Sequence, residues 1–395
     1  MKTHGNLYER IVSFENLAGA AHAACRGKRA RPDVAAFEFG LERELLRLQA
    51  ELRDQSYRPG VYYQFRIFEP KPRLISRAPF RDRVVHHGLC RVIEPLFEPS
   101  FSPHSYACRV GKGTHRALDR FQTLARMHRW ALTCDIAKFF PSIDHQALLE
   151  LLARKVRDRK CCWLIEQIVA GSPPQETVPQ SVDLHRQDAC ATSSSRQRMV
   201  AQALRPCSGH ASSLCGLGTV PYFAGDDLFT PLTRRRGLPI GNLTSQFFAN
   251  VYLDPLDHFV ERGLRCRPYV RYCDDFVLFS DSVAELTAWR RAIATFLERL
   301  RLRLHPGKSL VRRTGRGIRF LGFRVWPGRR LLARENVVRL KRRLRRLREA
   351  YHCGDISAED LTASIRGWVA HAEHGDTGAL RAKLLGGFTA CRGAA

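Results

Sequence analysis

Residues 269–279 read YVRYCDDFVLF: two short apolar runs with an Asp-Asp pair between them. Adjacent carboxylates repel, so a fold that sets them side by side does so at some cost to its own stability. Val270, Tyr272, Phe276 and Leu278 alternate as one face of a hairpin, which puts Cys273, Asp274 and Asp275 at or near its bend. A carboxylate pair at such a bend projects to one edge of a sheet, and divalent cations held there relieve the repulsion. Magnesium takes hard oxygen ligands while keeping waters and phosphates in its shell. Two such ions can activate a hydroxyl and stabilise a leaving pyrophosphate. That chemistry needs a further carboxylate from a separate strand. Asp135, in ALTCDIAKFFPSID, follows an apolar strand start and precedes an aromatic pair. The alternative, three solvated turn residues, accounts for neither the flanking strands nor the basic setting.

That setting is pronounced. Lys and Arg number 65 against 38 Asp and Glu, a formal net charge of +27 over 395 residues. A charge that large calls for a polyanionic partner, and nucleic acid is the usual one, ahead of an anionic membrane surface. A hydrophobic content of 44%, with 22 Phe, is that of a folded chain with room for two or three subdomains. No stretch reaches the roughly 18 consecutive apolar residues of a spanning helix. The N-terminus is interrupted by charge and does not read as a signal peptide. The 13 cysteines are odd in number, irregularly spaced and contain no CxxC pair. They read as free thiols in a reducing cytoplasm rather than as disulfides or a zinc site.

Helical periodicity covers 7–25 and 36–53, where Leu41, Leu45, Leu48 and Leu52 fall on one face. GVYYQFRIFEPKPRLISRAPF alternates like two strands joined at EPKPR. Helical patterns return over 82–97, 144–156, 159–170, 285–302 and 357–388. GLPIGNLTSQFFANVYLDPLDHF reads as a loop feeding a long helix. RTGRGIRFLGFRVWPG reads as a glycine-bounded hairpin, with Phe320 and Phe323 on opposite faces of a strand and Gly322 allowing close backbone approach. Residues 172–215, with early prolines and little aromatic content, read as a surface insertion or a disordered segment. From about 329 the chain reads as helical and basic: residues 329–348 hold ten Lys or Arg and one acid, Glu335, a stripe suited to a phosphate backbone.

In chain order, KPRLISRAPFRDRVVHH, LTCDIAKFFPSID, GLPIGNLTSQFFANVYLDPLDHF, YCDD, LHPGKS and IRFLGFRV resemble six motifs of reverse transcriptases, spread over residues 65–325. The resemblance implies an α/β (α+β) right-hand polymerase fold with fingers, a palm whose antiparallel sheet carries the carboxylates, and a helical thumb. It divides the chain into an N-terminal helical segment (1–60), fingers (61–134), a palm with interleaved fingers elements and the insertion at about 172–215 (135–328), and a basic helical thumb (329–395). It implies two Mg2+ ions, with Mn2+ as a substitute. Asp135 and Asp274 would ligate them directly, Asp275 would support the site electrostatically, and Ile136 would offer its backbone carbonyl. Asp144 reads instead as a helix N-cap.

The same resemblance fills in the pocket. Phe140 would lie against the sugar and exclude a 2′-hydroxyl; the other reading is that Phe139 and Phe140 both fill the core. Lys71 and Arg73 would hold the triphosphate, for which the arginine fork is well shaped, while Arg77 and Arg81 would contact template. Lys308 would protonate the departing pyrophosphate, unless it is a solvated loop lysine. Ile240, Gly241 and Gln246 belong to the motif that packs under template and incoming nucleotide.

GLPIGNLTSQ narrows the resemblance. Many intron and retroviral relatives have glutamine at the place of Ile240 and proline at that of Gln246. The form here is similar to the reverse transcriptases of bacterial diversity-generating retroelements, and SIRGWVAHAEHGDTGALRAKL resembles the end of that group. This implies a bacterial cytoplasmic enzyme, not membrane-bound, that copies a template-repeat RNA into cDNA mutated at adenines. Its partners would be template RNA, RNA–DNA hybrid, deoxynucleoside triphosphates and a small basic oligomeric accessory protein. Cys273 stands where the family box often has Met or Ala. A retron-type or host-defence reverse transcriptase is the nearest rival; an intron maturase fits less well, and a catalytically silent RNA-binding protein on the same fold would be expected to lack one of the carboxylates.

Overall fold

The computed structural model describes residues 4–68, 72–173, 223, 226, 227 and 230–391. The chain separates into two units, residues 1–175 with 235–395, and residues 176–234. The expected insertion falls outside the described residues from 174 onward.

The larger unit opens on two broken helices where the periodicity suggests two continuous ones. Ser13 divides 7–25 into α1 (Tyr8–Val12) and α2 (Phe14–Cys25): it is extended, and its hydroxyl accepts from Asn16 N at 3.3 Å. A serine able to cap a new helix competes with continuing the old one. Gly40 divides the next into α3 (Pro32–Phe39) and α4 (Leu41–Arg53). Leu45, Leu48 and Leu52 are buried as expected, but Leu41, at the new helix start, is 37% exposed. The carboxylate of Asp158 holds two helix starts together. Oδ2 accepts from Leu7 N (2.7 Å) and Tyr8 N (2.8 Å) at α1, and Oδ1 from Lys160 N and Cys161 N at α9 (Arg159–Ala170).

Between these lie the antiparallel pair β1 (Tyr63–Ile67) and β2 (Arg73–Arg77), the long buried helix α5 (Phe80–Phe97), α6 (Thr114–Met127), β3 (Trp130–Asp135), the single turn α7 (Phe139–Ser142) and α8 (His145–Ala153). In the smaller unit the described residues include one turn, α10 (Thr230–Thr233), whose first amide bonds Asp227 Oδ1 at 2.6 Å, and an Arg234–Asp226 ion pair.

After residue 235 come α11 (Leu243–His258), β4 (Tyr269–Tyr272), β5 (Asp275–Ser280), α12 (Val283–Arg299) and β6 (Leu310–Arg313). The central sheet has the order β4-β5-β3-β6 and is antiparallel throughout. One face, with Leu132, Cys134, Tyr269, Phe276 and Leu278, packs into the core built on α5, α8, α11 and α12. The other, with Ala131, Val270, Val277 and Phe279, packs on α6 and on a second sheet. That sheet is β7 (Ile318–Phe320), β8 (Phe323–Val325) and β9 (Arg330–Leu332). The tail expected to be helical from about 329 therefore begins with a strand. Helices follow: α13 (Arg334–His352), α14 (Ala358–Ala372) and α15 (Gly378–Leu385). Among the described residues no helix is long and apolar enough to cross a membrane, and all ten cysteines are free thiols.

Candidate active site

The β4–β5 hairpin turns on two residues, Cys273 and Asp274, with Tyr272 and Asp275 as the last cross-strand pair. Cys273 is left-handed (φ 57°). A two-residue turn pairs even-numbered residues of β4 with odd-numbered residues of β5. The single alternating series Val270, Tyr272, Phe276, Leu278 is thus incorrect: Val270 and Tyr272 share their face with Asp275 and Val277, while Phe276 and Leu278 share theirs with Tyr269 and Arg271.

Asp135 ends β3 directly opposite Asp275, and cross-strand partners project to one face, so the two carboxylates stand side by side at the end of the sheet. The chain beyond them is held to the 303–308 turn. His305 N bonds the Asp135 carbonyl (2.7 Å), Ala137 N bonds the Arg303 carbonyl (2.9 Å), and Ile136, buried, bridges Leu304. That turn brings Lys308 Nζ onto Asp135 Oδ2 as an ion pair. Asp275 is held above the usual carboxylate range by the protein crowded around it, then by the charges of Asp274 and Asp135, with Lys308 acting the other way. Asp274 is also raised, by burial first, with Asp135 adding and Arg73 among the groups opposing. Arg73, exposed at the start of β2, is therefore within electrostatic reach of Asp274.

Among the described residues no group of three or more His, Cys, Asp or Glu side chains is gathered to hold a metal ion. The donors still suit a hard cation: Mg2+ is held by one or two carboxylates with waters and substrate phosphates rather than by an all-protein cage. Facing carboxylates that repel one another favour such a charge between them.

The other expected residues surround this edge unevenly. Phe139 is buried and Phe140 half-buried, their rings 5.3 Å apart and edge-on. The Phe140 carbonyl accepts from Leu238 N (2.9 Å), tying α7 to the loop that carries Ile240. The Ile240 carbonyl accepts from Ser76 N (3.1 Å), and Asn242 bonds both Ala78 N and the Ser76 carbonyl, so this loop is laced to β2. Gly241 has φ +119°, and a Cβ there would lie 3.1 Å from the Ile75 Cγ2 methyl. Gln246 is exposed on the first turn of α11. Lys71 lies outside the described residues. Arg77 is 3.6 Å from Asp33 and stacks over Tyr63, and Arg81 pairs with Glu51, so both already have partners in the fold. Asp144 caps α8 through Ala147 N (2.9 Å) and pairs with Arg301 (2.7 Å), a structural role.

Phe320 and Phe323 are not on opposite faces of one strand. They are cross-strand partners, both buried, on either side of a two-residue turn in which Leu321 (φ 47°) and Gly322 (φ 85°) are both left-handed. This is the pattern of a type I′ hairpin turn, which matches the twist of its strands. On α13, Arg339, Arg342, Arg343 and Arg346 line a recess of about 340 Å³. Sequence reasoning passed over Arg271 and Asp257, a fully buried ion pair behind the Asp-Asp turn. An arginine inside an otherwise apolar strand, needing a counter-charge, was the available signal.

An antiparallel sheet with paired carboxylates at one end, followed in the chain by basic helices, fits a right-hand polymerase. A family model for reverse transcriptase (RNA-dependent DNA polymerase) matches residues 69–325, and the chain belongs to that family. It is 25% identical over 209 residues to nuclear intron maturase 1, mitochondrial, of Arabidopsis thaliana, covering 52% of this chain and 29% of that protein. It is 22% identical over 349 residues to the group II intron-encoded protein LtrA of Lactococcus lactis subsp. cremoris (80% and 54%), and 21% over 324 residues to protein YkfC of Escherichia coli K12 (71% of each). The chain thus spans about half of LtrA and under a third of the plant maturase.

Proposed function

We propose that this chain is an RNA-directed DNA polymerase of the diversity-generating retroelement type, making adenine-mutated cDNA from a template-repeat RNA. The polymerase reading rests on Asp135 and Asp275 in register with Asp274 beside them. The finer reading rests on GLPIGNLTSQ, with isoleucine at 240. Asp135 and Asp274 would hold the ions, Ile136 would contribute its carbonyl, and Asp275 would shape the local field. When bound, two Mg2+ ions supply the charge that acidifies the primer 3′-hydroxyl and neutralises the leaving pyrophosphate. Arg73 and Lys71 bind the triphosphate, and the Phe140 ring excludes a 2′-hydroxyl. Lys308 Nζ leaves Asp135 to give a proton to the departing pyrophosphate. Residues 61–134 serve as fingers, 135–328 as palm and 329–395 as thumb, in a bacterial cytoplasm and with a small basic accessory protein.

The names of the matched relatives favour a second reading, a reverse transcriptase that works with a group II intron RNA. One experiment addresses both. The full chain is given a primed RNA template, deoxynucleotides and Mg2+, and the cDNA is sequenced. Extension that is lost in a folded Asp274→Asn variant supports the site, and normal extension by that variant refutes it. Errors concentrated opposite template adenine support the retroelement reading. A flat error spectrum with tight binding to intron RNA replaces it with the second.

A further inference from the structure

Arg271 lies in β4 one residue before the strand ends, and none of its surface reaches solvent. A guanidinium does not shed its proton, so the fold must meet the charge. Asp257 on α11, equally buried, meets it with a fork: Nε to Oδ1 at 2.6 Å and Nη2 to Oδ2 at 2.5 Å. The Tyr269 hydroxyl donates to the same Oδ1 at 2.8 Å. Nη1 points elsewhere. It donates to the Cys273 carbonyl at 3.2 Å and to Asn250 Oδ1 at 3.4 Å, and Asn250 in turn donates to the Ala107 carbonyl at 2.9 Å.

Stability does not account for this arrangement. A buried ion pair is often matched or bettered by apolar side chains of the same volume. What apolar side chains cannot do is donate to the carbonyl of Cys273. That residue is left-handed without being glycine, a conformation that persists only where its surroundings over-determine it. Asp274 and Asp275 follow it immediately. A rigid fork anchored in α11 therefore sets where the turn begins and, through it, where both carboxylates stand.

We propose that Arg271 and Asp257 are positioning residues for the carboxylate turn, acting through the Cys273 carbonyl without touching substrate. This rests on the polymerase reading given above. The test uses the full chain with Asp257→Leu and Arg271→Met together, which keeps the space filled and removes the fork. Melting checks that the variant folds, primer extension gives kcat and KM, and hydrogen exchange follows the amides of 272–275. Expected are a melting temperature near the parent's and faster exchange at the turn. Misplacing reacting groups by about an ångström costs about a hundredfold, so kcat should fall by about ten- to a hundredfold. KM for the nucleotide and affinity for the hybrid should be unchanged. A folded variant with parental kcat, or with unchanged exchange at 272–275, overturns the proposal. If the pair cannot be replaced without unfolding, Tyr269→Phe decides: it removes one bond to Asp257, and a few-fold lower kcat at constant KM supports the proposal while parental kcat overturns it. A parent that extends no primer, beside a variant whose turn exchanges faster, sinks the polymerase reading and leaves the positioning role standing.

Discussion

At position 240 the backbone is committed before the side chain is chosen. The Ile240 carbonyl is held by Ser76 N, and the next residue, Gly241, has a positive φ against the Ile75 methyl. The side chain can therefore be exchanged with little displacement of the loop. Isoleucine fills space but has no donor or acceptor; glutamine would add both. A hydrogen bond is worth about 0.5–1.5 kcal/mol net, so Ile240→Gln should lower misincorporation by a few-fold to about tenfold. We expect fewer substitutions opposite template adenine at retained synthesis, read by sequencing cDNA from both enzymes. Identical error spectra at comparable activity would show that Ile240 is only a packing residue. At this scale the sequence was legible where chemistry is local. Asp135, Asp274 and Asp275 stand out because carboxylates beside apolar strands need a reason. Asp257 does not stand out, because on a helix it looks like any surface acid until tertiary packing buries it.

Elements behave differently from residues, since one polar group can set the pH response of a whole helix. In α5, neither ring nitrogen of His86 has a hydrogen-bond partner, and burial, then His87 and Arg83, push its pKa down to about 3. His87 is lowered too, by burial and then by Lys28 and other cations. Both folded values lie below the unfolded value near 6.5, so the unfolded chain takes up protons first on acidification. Stability is then full above about pH 6.5 and falls toward the folded values, for His86 by at most about 1.4 kcal/mol per pH unit. Urea midpoints at pH 7 and 4.5 should differ less in His86→Leu than in the parent; equal losses would remove His86 from the acid response. The hairpins show why element type was legible and geometry was not. Alternation marks two strands around YCDD and around FLGF. It does not count turn residues, and a two-residue turn reverses which side chains share a face. The breaks at Ser13 and Gly40 were equally hidden, because periodicity runs through a residue that caps as readily as through one that continues.

Across the whole molecule the excess of positive charge is not spread evenly: α13 concentrates it, with Arg342, Arg343, Arg345 and Arg346 all exposed. If this face tracks a phosphate backbone, replacing the four with Gln should weaken hybrid binding on every sequence alike. The slope of log affinity against log salt should flatten by about one unit for each phosphate no longer neutralised. Filter binding between low and moderate salt measures it, and an unchanged slope would place α13 away from nucleic acid. The chain's route through the larger unit carries a different consequence. Four consecutive residues, 235–238, are fastened to 140–145: His145 N to the Arg235 carbonyl, a bridge between Asp144 and Arg236, Gly237 N to the Ile143 carbonyl (2.8 Å) and Leu238 N to the Phe140 carbonyl (2.9 Å). The chain's re-entry at 235–238 is thus pinned to the segment that joins α7 to α8, beside the candidate pocket. Phe140 and Ile240 keep their addresses through backbone bonds made wholly within the larger unit.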